Sequence, residues 1–201
     1  MTRVLVHAVG LAALLLALGA PAQQAPAPEA LVRDTVNEVL DVIRRTKDPR
    51  ALVELAEQKV LPHFDFTIMT RLAVGRSWSQ ASAAQQQALE RAFRTLLVRT
   101  YTTALAQASG EYTVEVKASG LKPGETDTVV RTQVREPGRK PIQMDYRMRL
   151  TASGWKVYDV VVENLSLVTN YRSSFASEIA RSGIEGLIRA IESKNRKESA
   201  S

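Results

Sequence analysis

The chain has 201 residues, 45% of them hydrophobic, with 27 Lys plus Arg against 21 Asp plus Glu, a net charge of +6, two histidines and no cysteine. The missing cysteines exclude a disulfide scaffold, an iron–sulfur cluster, a thiolate zinc site and a cysteine nucleophile. An ordinary apolar fraction with 24% charged residues excludes a largely disordered chain and predicts one core in one domain.

Met1 to Ala22 reads as a secretory signal peptide. Arg3 supplies the basic start, Ala8 to Ala20 the apolar run, and Ala20-Pro21-Ala22 a small-x-small cleavage site. That run, about 13 residues, is too short for a hydrocarbon layer of about 30 Å. Export into a bacterial periplasm is therefore expected, and losing Arg3 takes the net charge from +6 to +5. Residues 23–28 form a Pro/Ala/Gln leader, 29–194 the single folded domain, and 195–201 a solvated tail.

In the domain, Val32, Val36, Val39, Leu40 and Ile43 recur at helical spacing, giving an amphipathic helix from Glu29 to Lys47. Asp48-Pro49 opens a second helix that runs to Pro62, and Asp65 caps a third that Gly75 ends. Ser82 and Gln85 make a capping box before the longest periodic stretch, Ala83 to Gln107. The period then changes to two. Pro123-Gly124, Pro137-Gly138 and Ser153-Gly154 separate four strands, Glu111–Lys117, Thr126–Glu136, Pro141–Thr151 and Trp155–Val162, in an antiparallel meander. Helical spacing returns after Asn164 and breaks near Ser182-Gly183. The expected fold is α+β, with helices on one face of a four-stranded antiparallel sheet.

Motifs for chemistry are sparse. The domain's one histidine, His63, has Asp65 two residues on but no second histidine to complete a metal site, and no nucleophile elbow or phosphate-cradling glycine motif occurs. No cofactor is expected. Asp145 falls on a polar strand face near Arg131 and Arg147, whereas alternation groups Asp159 with apolar Val157 and Val161. A buried carboxylate there is either paired in the structure or functional. Arg131, Arg135, Arg147 and Arg149 suggest a basic sheet face, but without interleaved aromatics it does not point to nucleic acid. The stripe from Leu89 to Leu105 and the strand face with Met144 and Met148 form two apolar walls; periodicity does not say whether they touch or leave a gap.

Several segments together are similar to a known family. Arg71-Leu-Ala-Val-Gly75-Arg-Ser-Trp78, the helix with Phe93-Arg-Thr-Leu-Leu-Val-Arg-Thr-Tyr101, Pro141-Ile-Gln-Met-Asp-Tyr146, Trp155 to Val162, Ser166 to Arg172 with Phe175, and Gly183 to Ile188 resemble, in order, the MlaC family of toluene-tolerance auxiliary proteins of ABC transport systems. Asn164 departs from the family's usual Gly, and because Asn tolerates positive φ the turn is expected to survive. The resemblance implies a non-enzymatic periplasmic phospholipid carrier, a monomer with an acyl cavity between helices and sheet. Its implied partners are an outer-membrane lipoprotein complex and an inner-membrane ABC transporter with an MCE-type subunit, and its role is keeping the outer membrane asymmetric.

Inward-facing positions combined with the matched segments give the expected acyl pocket: Leu72, Trp78, Phe93, Leu97, Tyr101, Leu105, Met144, Tyr146, Met148, Val157, Val161, Tyr171 and Phe175. Arg71, Arg76 and Arg99 are the candidates for headgroup or docking contacts. Three alternatives compete with this reading. One is a ketosteroid-isomerase-like cavity enzyme with Asp159 or Asp145 as base and a tyrosine donor. Another is a carrier of hopanoid or sterol-like lipid, and the third a binding or chaperone module that docks an acidic partner on the basic face.

Overall fold

The computed structural model describes residues 26–46, 48–107 and 111–197. The expected signal peptide, Met1 to Ala22, and the leader up to Ala25 lie outside the described residues. Among the described residues, four α-helices precede the strands of one sheet and a fifth follows them, and no helix is long and apolar enough to cross a membrane.

Helix α1 (Pro28–Arg45) starts with Pro at its first turn, where a missing N–H costs nothing. In α2 (Pro49–Leu55) the Asp48 side chain accepts the Arg50 N–H. The α-helix does not continue to Pro62. It widens into a π-helical stretch, Ala56–Val60, and tightens into a 3-10 turn, Leu61–His63. Asp65 caps α3 (Phe66–Val74) by accepting the Ile68 N–H at 2.9 Å, and Gly75, with φ 68°, ends it. The Ser82–Gln85 capping box is reciprocal, with bonds of 3.2 and 2.9 Å, and opens α4 (Ala83–Gln107). The last helix, α5 (Arg172–Lys197), is broken at Gly183, where φ is 71° and ψ −178°. It runs beyond the expected tail boundary: Asn195 is buried and its amide donates to the Ala92 carbonyl at 2.9 Å, so packing against α4 holds the last turn in place.

The sheet is an antiparallel meander of five strands rather than four: β1 (Thr113–Val116), β2 (Asp127–Arg135), β3 (Ile142–Thr151), β4 (Gly154–Val162) and β5 (Leu165–Ser166). The fifth exists because Glu163 and Asn164 both adopt positive φ, 48° and 68°. Two successive positive-φ residues make the primed hairpin turn that folds a strand back on itself. Leu165 and Ser166 consequently pair with Val162 and Val161. Two residues are too few for periodicity to show.

A bulge corrects the expected alternation of β4. Arg147 stands opposite Asp159 but Met148 opposite Val157, which leaves Tyr158 as the extra residue. Beyond the bulge the alternation is shifted by one, so Val160 joins Trp155 and Val157 in the core while Asp159 goes to the other face with Arg147. This is why the strand looks apolar on both sides.

Two separate cores result. Helices α3, α4 and α5 enclose the larger, centred on Phe93, whose ring meets Tyr171 and Phe175 edge-on at 5.1 and 5.3 Å. The smaller joins Val32 of α1 to the inner sheet face, where Val130 and Met148 are fully buried. Phe93→Ala should lower stability by about 3–5 kcal/mol, measured as a shifted denaturation midpoint with unchanged denaturant slope.

Candidate functional site: an apolar cavity between the two cores

The two apolar walls do leave a gap. A cavity of about 460 Å³ lies between them, within the range of small-ligand pockets. Its first wall is α1, which turns Leu31, Val32, Thr35, Val36, Val39, Leu40 and Ile43 inward. The second comes from Leu52, Leu55, Ala56, Val60, Leu61 and His63 of α2 and its irregular continuation. Phe66 and Met69 of α3 and Leu97, Val98, Tyr101 and Thr102 of α4 form the third, and the inner sheet face, from Val114 to Val160, the fourth. Among the described residues, no Asp, Glu, Lys or Arg lines it.

Polar contacts at the edges keep the walls apart. The Asp65 N–H donates to the Val157 carbonyl at 2.9 Å, fixing the start of α3 to the sheet. The carboxylate of Glu29 accepts the Ser119 N–H at 2.7 Å, fixing the start of α1 to the loop between β1 and β2. The Arg44 guanidinium, paired with Asp41 at 2.8 Å, reaches the Tyr112 carbonyl at 3.4 Å and holds the helix's other end. The charged partners in these ties, Asp65, Glu29 and Arg44, are not among the lining residues.

Burial governs the ionisable groups in the lining. The Tyr146 phenol, whose hydroxyl donates to the Met144 sulfur at 3.0 Å, is pushed well above the ordinary tyrosine value by burial. Tyr101 is pushed up to about 12, first by burial and then by the negative charges of Tyr171 and Asp159. His63 is lowered, first by burial and then by the Lys156 ammonium, against the opposing pull of Glu38.

Neither acidic candidate enters the cavity. Asp159 is fully buried, but its carboxylate accepts from Arg147 and from the Val168 N–H, both at 3.3 Å. Asp145 accepts the Gln143 amide at 3.1 Å and stands opposite Arg131 in the register. The expected basic sheet face is largely neutralised, since Arg135 pairs with Glu115 at 3.1 Å and Arg149 with Asp127 at 3.0 Å. Asp65 is occupied as a helix cap, and the described residues contain no group of metal-ligating side chains.

Of the positions expected in the pocket, Leu97, Tyr101, Met144, Tyr146 and Val157 line the cavity. Phe93, Tyr171 and Phe175 fill the helical core, with Leu72 and Trp78 packed against it. Met148 is fully buried in the sheet-side core, and Val161 is half-buried opposite Asp145. The Leu105 side chain lies outside the described residues. Arg71 and Arg76 are exposed, Arg99 donates to the Asn195 carbonyl at 2.6 Å, and none of the three lines the cavity. Sequence reasoning passed over α1 and α2 as cavity walls. The signal was the double column of α1, where 31/32, 35/36 and 39/40 are apolar or small in pairs, broader than a single packing seam needs.

The family model for the MlaC protein matches residues 33–193. The chain belongs to the MlaC family. A solved structure of a phospholipid-binding protein from Ralstonia solanacearum, in complex with a phospholipid, superimposes with a TM-score of 0.76 at 37% identity, covering 85% of this chain and 98% of that one. The MlaC match takes in most of α1 as well as the sheet, so it reaches every wall of the cavity and leaves out only Leu31 and Val32 of the lining.

The raised tyrosines set a pH dependence. A group that holds its proton more tightly when folded stabilises the fold fully below its unfolded value, and that contribution disappears as pH climbs to the folded one. For Tyr101 the window runs from about 10, the ordinary value, to about 12. Stability should fall across that window, and Tyr101→Phe should flatten the fall in alkaline melting curves followed together with tyrosinate absorbance.

Proposed function

We propose that this MlaC-family chain is a phospholipid carrier that takes acyl chain into the cavity and leaves the headgroup outside it. One observation carries the reading: a preformed void walled on four sides by mainly apolar side chains, with no carboxylate, lysine or arginine lining it among the described residues. The solved relative, a phospholipid complex with the same fold, supports it. At about 0.8 kcal/mol per methylene, a 16-carbon chain leaving water gains on the order of 12 kcal/mol. Free lipid accordingly hardly crosses water, and a shuttle must offer comparable burial.

The reading is of a binding protein, not a catalyst. A ketosteroid-isomerase-like reaction needs a base facing the cavity, whereas Asp159 and Asp145 are engaged elsewhere. The site of action in this proposal is the periplasm, reached by cleavage near Ala22. The partners are an outer-membrane lipoprotein complex and an inner-membrane ABC transporter with an MCE-type subunit, and the outcome is lipid asymmetry of the outer membrane.

Native mass spectrometry of protein purified from periplasm, followed by solvent extraction, tests the proposal. A stoichiometric adduct that extracts as phospholipid is expected. Protein that arrives empty and takes up no phospholipid from vesicles defeats the reading, and a sterol-like adduct replaces the cargo. Val36→Arg sets a cation into the α1 wall, where an unpaired charge costs several kcal/mol in apolar surroundings. Bound lipid should drop at least about tenfold, while the far-ultraviolet circular dichroism stays that of the parent.

A further inference from the structure

The lining is uncharged, but its edge is not uniform. Around the turn that carries His63, three charged side chains make contacts: Lys156 of β4 with the turn itself, and Lys59 with Glu38 of α1. Lys156 of β4 reaches across to donate to the Pro62 carbonyl at 2.5 Å, one residue from His63. Because an ammonium has three donors, this contact leaves two for another acceptor. From α1, Glu38 faces Lys59 at 3.8 Å, and both side chains are about half exposed, 48% and 54%. Glu38 and Lys156 both act on the His63 ring, with opposite sign.

Two other charges at the ends of α1 are committed at short range. Glu29 is held by the Ser119 loop and Arg44 by Asp41. The Lys59–Glu38 pair is different: at 3.8 Å and half exposed it is loose, and such pairs contribute little that a ligand would have to replace. A purely anionic ligand would suit the two lysines but would sit against Glu38. A ligand carrying both signs matches all three.

We propose that Lys156 and Lys59 hold the phosphate, and Glu38 the ammonium, of a zwitterionic lipid headgroup seated over His63. This assigns the cargo class as phosphate–amine lipids, with the headgroup at the 3-10 turn and the chains running inward past Leu61 and Phe64, which line the cavity. Arg71, Arg76 and Arg99 take no part in it. The assignment rests on the carrier reading above.

The test uses the full chain, delipidated and offered vesicles of equal parts phosphatidylethanolamine and phosphatidylglycerol with identical acyl chains, with bound lipid extracted and quantified. The parent should take up phosphatidylethanolamine in preference by about twofold to fivefold, the scale of a partly exposed ion pair. Glu38→Gln should abolish that preference without reducing total lipid. Lys156→Gln should lower uptake of both phospholipids by a similar factor yet leave uptake of diacylglycerol, which has the chains without the phosphate, unchanged. Glu38 is exposed, so its variant should melt with the parent. Parent protein that loads both lipids in the vesicle ratio, or a Glu38→Gln preference equal to the parent's, overturns the headgroup site and leaves the carrier standing. Parent protein that loads neither overturns both.

Discussion

Asp65 is where the two halves of the molecule meet. Its side chain caps α3, its N–H donates to the Val157 carbonyl, and the preceding residue, Phe64, forms a parallel bridge with the same Val157. The first helical N–H groups and the outer edge of β4 both lack partners of their own kind, and one residue satisfies some of each. The tie also sets a spacing. Because α3 is attached at the edge of the sheet and not laid across its face, α4 stands off from β2 and β3, and the helical core closes on itself around Phe93. The sheet face is left to α1 and α2, which roof the gap without filling it.

The β4 bulge completes the arrangement. Without the extra Tyr158, the residue after Val157 to face inward would be Asp159, and a carboxylate would stand in the cavity lining. With it, Val160 takes that place and Asp159 goes to Arg147 and the Val168 N–H. A buried charge is tolerable only when paired and hydrogen-bonded, and here the pairing also anchors the chain as it leaves β5 towards α5. One inserted residue thereby keeps the lining dry and secures the entry to the last helix.

How far this was legible in the sequence depends on the range of the interactions involved. Caps and breaks are local, so Asp48, Asp65, the Ser82–Gln85 box, Gly75 and the Gly183 break were readable directly, as was the positive φ of Asn164. Alternation located β2 and β3, but it assumes an unbroken period of two and so misgrouped Asp159 across the bulge. Apolar periodicity showed that Phe93, Leu97 and Tyr101 all point inward. It had no means of separating Phe93, committed to the helical core, from Leu97 and Tyr101, which border the void, because the difference lies in what stands opposite. The walls from α1 and α2 escaped for the same reason: an amphipathic stripe looks the same whether it covers a core or a cavity. The resemblance to the MlaC family added the expectation of a cavity, but its strongest motifs lie in α3 to α5 and drew attention to packed aromatics.

A void this large has consequences for the energetics. At about 24 cal/mol per Å³, the coefficient for enclosed cavities in protein interiors, 460 Å³ sets an upper bound of roughly 11 kcal/mol on the packing that the protein does not make for itself. That is comparable to the net stability of an ordinary domain, about 5–15 kcal/mol, and to the gain from burying one long acyl chain. Cargo and fold are therefore coupled: a chain in the cavity supplies the missing contacts, and its departure removes them unless a wall closes in. The wall best able to do so is α2 with its irregular continuation, which contributes to neither core cluster and is interrupted by a π-helical stretch. The walls built on Phe93 and on the sheet meander have no such freedom, because each belongs to a closed core. In the proposed carrier, release then amounts to offering the chain another apolar surface while the thin wall yields, and the rigid side of the molecule need not move at all.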